Sequence, residues 1–137
     1  MKRVWAPLLL VIVLAAIAVA GWWLKRPPAA AAVRCADPLA GCAFNHHGTV
    51  ANVRFSRQPV PLEAFELTIT VPNAAKISAE LQMVGMDMGF NRYDLRPVAG
   101  GSFAAKLTLP VCVSGRRDWV LTLDVDGSHY ALPFGTR

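Results

Sequence analysis

Several chemical signatures are missing from this sequence, and each absence narrows the function. There is no C-x-x-C, no C-x-x-C-H and no H-E-x-x-H, so dithiol redox exchange, covalent haem attachment and a zincin centre have no residues to build on. No glycine-rich phosphate loop and no placeable Ser/His/Asp constellation occur, and the acidic residues are scattered singly. No enzyme is expected. Charged residues make up only 17% of the chain. Of its fourteen Lys and Arg, four (Lys2, Arg3, Lys25, Arg26) flank one apolar run. The other ten face nine Asp and Glu, which leaves residues 33–137 near +1. A basic domain for nucleic acid is therefore not expected. Methionine is scarce too, and all but Met1 of the four fall between residues 83 and 88.

The apolar run extends from Val4 to Leu24 without a charge. As a helix it measures roughly 31 Å, the thickness of a bilayer core. Trp5 lies near one end and Trp22 and Trp23 at the other, where interfacial aromatics belong, before Lys25, Arg26, Pro27 and Pro28 stop the helix. Residues 1–26 read as a membrane anchor. The alternative is a cleaved signal peptide, because Ala18-Val19-Ala20 before Gly21 obeys the small-residue rule. Residues 27–33 form a Pro/Ala tether, and residues 34–137 a single domain.

Basic residues balance across the span, so orientation must come from the cysteines. Cys35 and Cys42, with Pro38 and Gly41 between them, suit a short disulfide loop in an oxidising compartment. This places the domain outside the cytoplasm, in a bacterial periplasm, behind a single-pass inner-membrane anchor. Two free thiols, or a pairing of either with Cys112, remain open alternatives.

Beyond the tether, period-two alternation marks seven strands, at 49–56, 62–71, 75–84, 90–97, 103–113, 118–126 and 129–134. Turn residues separate them, and Asp126-Gly127 is the strongest hairpin signal. No helical period follows Leu24. The expected fold is all-β: an antiparallel sandwich of about seven strands.

Met83 ends a strand on its core face. Gly85 breaks the strand, Met86 and Met88 point one way if the chain is extended, and Gly89 allows another turn. Two or three thioethers can gather there. Thioether sulfur is soft, selects Cu(I) or Ag(I), and needs no deprotonation. Methionine is also a common filler of core gaps, and that is the competing reading. Cys112, just before Ser114-Gly115, is a possible fourth ligand or a buried apolar residue. His46 and His47 are possible ligands, although adjacent residues on a strand face opposite ways. His129 is expected to have no role. Arg92 and Tyr93 are candidates to brace the methionine loop, or else lie on a solvated strand edge.

Met83-Val-Gly-Met86-Asp-Met88-Gly89, Gly101-Ser-Phe103, Leu109-Pro-Val-Cys112-Val-Ser-Gly115 and the run from Trp119 to Val125 resemble the YtkA-like and FixH-like families over residues 60–127. The resemblance implies a small periplasmic immunoglobulin-like domain, copper handling and assembly of haem-copper oxidases. An oxidase assembly factor or a copper chaperone would then be the partner. Cys112 stands near the methionine of the family phrase F-x-M-x-G-x-W. Two features depart from the family: the turn lacks histidine, and Arg116-Arg117-Asp118 lengthens the spacing from Gly115 to Trp119. The expected function is Cu(I) binding by the methionine loop. A metal-free scaffold subunit of a membrane complex is the alternative.

Overall fold

A computed structural model describes every residue except Met1, Pro27, Asp87, Phe90, Cys112 and Arg137, and it describes side chains from Trp5 onward. One helix, α1 (Lys2–Leu24), is followed by ten strands among the described residues: β1 (Ala31–Ala32), β2 (Cys42–His46), β3 (Thr49–Phe55), β4 (Ala64–Thr70), β5 (Ile77–Met83), β6 (Arg92–Asp94), β7 (Arg96–Val98), β8 (Ser102–Thr108), β9 (Asp118–Val125) and β10 (Ser128–Gly135). Within α1, Trp5–Leu24 is long and apolar enough to cross a membrane, and none of it is buried against the rest of the chain. The guanidinium of Arg26 lies 4.1 Å from the centre of the Trp22 ring.

The strands form two five-stranded sheets, ordered β1-β10-β9-β5-β6 and β2-β3-β4-β8-β7. Every pairing is antiparallel except β1 with β10. Alternation drives the assembly. In β9, Trp119, Leu121, Leu123 and Val125 are buried while the residues between them are partly exposed. Phe65, Leu67 and Ile69 of β4 do the same in the second sheet. The two inner faces share one core, and Phe55 of β3 meets Phe134 of β10 at 5.2 Å between ring centroids. The Asp126-Gly127 turn between β9 and β10 has φ values of +50° and +88°, the left-handed pair that a tight hairpin requires.

Two expectations change. The single strand at 90–97 is two three-residue strands in different sheets, with Phe90 outside the described residues. Leu95, 7% exposed, is the pivot: its side chain is buried and its N–H donates to Ile77 O (2.9 Å) as the chain crosses between sheets. Pro97 then sits on an edge, where its missing N–H costs no ladder bond. The strands at 31–32 and 42–46 were not expected. Ala31-Ala32 has no side-chain pattern to read, and the short alternation of β2 is carried by Cys42, Phe44 and His46 rather than by aliphatics. Cys35 and Cys42 form a disulfide with Cα atoms 5.3 Å apart, which ties the entry loop to β2.

Candidate metal centre

The methionine segment is a tight turn at one end of the first sheet. Met83, the last residue of β5, lies opposite Trp119 of β9. The Met86 N–H donates to Met83 O (3.2 Å), and the two residues form an isolated antiparallel bridge across Val84 and Gly85. Gly85, at φ +74°, allows the reversal; a side chain there would be strained. Asn91 closes the base of the loop: the Leu81 N–H donates to its carbonyl (3.4 Å), and its Nδ2 donates to Leu81 O (3.3 Å).

The three thioethers occupy different environments. Met83 is 3% exposed and belongs to the core, Met86 is 38% exposed, and Met88 is partly buried against the core. The Val84 N–H donates to Asp118 O (3.3 Å), so the turn lies beside the point where the chain returns from residues 109–117 into β9. Cys112, the candidate fourth ligand on that connection, lies outside the described residues.

Arg92 directs its guanidinium to Asp124 (3.4 Å), and the Tyr93 hydroxyl donates to Thr108 O (3.3 Å). His46 and His47 lie at the other end of the molecule. His47 adopts φ +48° in the β2–β3 turn, which cancels the strand alternation and brings the two rings to 4.4 Å. His46 Nδ1 is 2.8 Å from the Tyr130 hydroxyl, and His47 Nε2 is 3.0 Å from Ser128 Oγ. Tyr130 pairs with Leu123 and Leu123 with Ala79, four residues short of Met83 and thus about 13 Å along the strand. The structure does not bring the histidines to the methionines. Burial first, then the neighbouring His47, holds the His46 imidazole below its ordinary pKa, and Asp126 opposes both. Asp126 is itself held low by backbone hydrogen bonds from Ala75 and Lys76. Nothing in the sequence marks Tyr130 as the partner of His46, because the contact joins residues 84 positions apart.

Among the described residues, no three of His, Cys, Asp and Glu gather as a metal site. The sulfur donors described at the turn are thioethers, which suit a soft monovalent ion better than a hard divalent one, and Asp87 between Met86 and Met88 lies outside the described residues. No family model matches this chain, and no characterised protein or solved structure is similar enough to lend it a function.

Proposed function

We propose that the chain is a membrane-anchored copper(I)-binding protein of the bacterial periplasm, serving a membrane oxidase as a copper chaperone or assembly factor. The observation that carries this reading is the Met83–Met86 bridge, which sets one exposed thioether and one partly buried thioether on a single glycine-bounded loop. Met86 and Met88 would hold the ion. Met83 would be the buried base of the site, and Cys112 a possible further ligand. Uncharged thioethers bind Cu(I) without releasing protons and allow it to leave again. The disulfide supports an oxidising compartment. The apolar helix supports anchoring. An immunoglobulin-like sandwich is supported by the strand orders β3-β4-β8-β7 and β10-β9-β5, which follow the A-B-E-D and G-F-C pattern of that architecture. The same reading covers kinship with the YtkA-like and FixH-like families.

The test is a Cu(I) titration of the full chain in detergent against a competing chelator, beside the Met86→Leu/Met88→Leu double variant. One tight equivalent in the wild type, lost in the variant, is expected. Equal binding by both proteins, or none by either, rejects the site.

A second reading has its own observation. Val84, Met86, Val111 and Val113 are exposed apolar side chains on the two neighbouring connections. A metal-free scaffold subunit would use them as an adaptable contact surface. It predicts co-purification with a membrane complex that survives the Leu replacements.

A further inference from the structure

The β2–β3 connection is a two-residue turn in which both residues have a positive φ. Such turns ordinarily take Asn-Gly or Asp-Gly. Here His47-Gly48 takes that place, at φ +48° and +84°. The backbone around it is braced. The Gly48 N–H donates to Asn45 Oδ1 (2.9 Å), and the Thr49 hydroxyl donates to His46 O (2.7 Å). The left-handed His47 carries its ring beside that of His46, with the ring planes at 65° and the ring centres 4.4 Å apart.

Each ring is hydrogen-bonded at one nitrogen. His46 Nδ1 meets the Tyr130 hydroxyl and His47 Nε2 meets Ser128 Oγ, both on β10. In the tautomers in which these two nitrogens carry the protons, His46 Nε2 and His47 Nδ1 keep their lone pairs. Neither of the latter has a hydrogen bond among the described residues. Neither is closed off from solvent: the buried side-chain nitrogens without a partner are Trp119 Nε1 and His129 Nδ1. A ring fixed through one nitrogen, with a free lone pair on the other, is how a histidine is held when it binds a metal.

The ring separation selects a coordination geometry. With metal–nitrogen bonds of about 2.0 Å, two imidazoles at a right angle on one ion have centres about 4.5 Å apart, and at a tetrahedral angle about 5 Å. The observed 4.4 Å fits the right angle of a tetragonal ion. Burial and His47 keep the His46 imidazole in its neutral form, the form that binds metal. Asp126 is held ionised by the Lys76 N–H (2.8 Å) and the Ala75 N–H (3.0 Å), and its charge reaches His46. It acts through that charge and not as a ligand, since no third His, Cys, Asp or Glu joins the pair among the described residues.

We propose that His46 Nε2 and His47 Nδ1 form a binding site for a borderline divalent ion, copper(II) above all, at the end of the domain where the tether enters. Imidazole donors at a right angle suit copper(II), which also heads the affinity order of the divalent ions. Water fills the remaining positions, so the ion stays open to exchange. Tyr130, which orients His46, is also the register partner of Ala31, so the site lies beside the incoming chain. It is separate from the methionine turn and does not depend on metal binding there.

The experiment adds one equivalent of copper(II) sulfate to the full chain in lipid nanodiscs and counts the bound imidazoles by electron spin echo modulation. Two imidazoles on a tetragonal ion are expected. His47→Gln and His46→Gln should each leave one. His47 is exposed, so its variant decides alone if His46→Gln fails to fold. Met86→Leu/Met88→Leu and His129→Gln should leave the spectrum unchanged. A wild type with fewer than two imidazoles, as an adventitious surface histidine would give, overturns the proposal. So does a spectrum that survives His47→Gln, or one that is lost in the methionine or His129 variants.

Discussion

Met83 and Met86 are three positions apart and joined by a backbone hydrogen bond, yet their side chains face opposite demands. Met83 lies in the core opposite Trp119, so its removal leaves a cavity. Met83→Ala should cost about 2–5 kcal/mol, as large-to-small core changes do. Met86→Leu changes a partly exposed side chain outside the core to an apolar one of similar size and should stay within about 0.5 kcal/mol. Urea unfolding followed by near-ultraviolet circular dichroism separates the two; equal losses would mean that the turn is not arranged as described. The inward face of Met83 was legible in the sequence, because it continues the alternation of Ile77, Ala79 and Leu81. The unequal exposure of Met86 and Met88 was not, because an extended chain would have turned both the same way. The reversal at Gly85 and the bridge back to Met83 break that alternation.

At the scale of elements, the β2–β3 turn and the β9–β10 hairpin are joined by side chains alone, through His46–Tyr130 and His47–Ser128. The folded chain holds His46 below its ordinary pKa, so the unfolded chain takes up the proton first as pH falls. Stability is complete above the unfolded value of about 6.5 and declines as pH drops from there toward the lowered folded value. The urea midpoint should therefore fall between pH 7 and pH 5, and His46→Gln should flatten that slope. An identical slope in the variant would assign the effect to other groups. The Cys35–Cys42 bridge acts on the same region. Closing so short a loop stabilises by about 2.5 kcal/mol in the chain-entropy account, so Cys35→Ser/Cys42→Ser should lose that much. A variant as stable as the wild type would show that β2 is held by its ladder alone. Long strands such as β4 and β9 could be read from the sequence because each has several aliphatic residues at period two. β6 and β7 could not be separated, since the crossing depends on where Leu95 finds room and not on any turn residue.

For the whole molecule, direction is set by where the chain enters. Ala31 pairs with Tyr130 near the hairpin end, and β1 then runs parallel to β10 toward the methionine turn. Tyr130 and Gly135 are five residues apart, so the turn lies about 17 Å beyond the entry point, measured along the strand. A metal or partner at the turn would thus be met at the end of the domain away from the tether. The helix contributes nothing to the core, since its whole apolar stretch is unburied within the chain. Its apolar surface finds no partner within the described chain, as expected of a segment long and apolar enough to cross a membrane. Removing residues 1–27 should therefore move the protein from the membrane pellet to the supernatant and change unfolding free energy by less than about 0.5 kcal/mol. Retention in the pellet would overturn the reading that this helix alone anchors the chain. A large loss of stability would mean that the helix packs on the domain, contrary to its exposure along Trp5–Leu24.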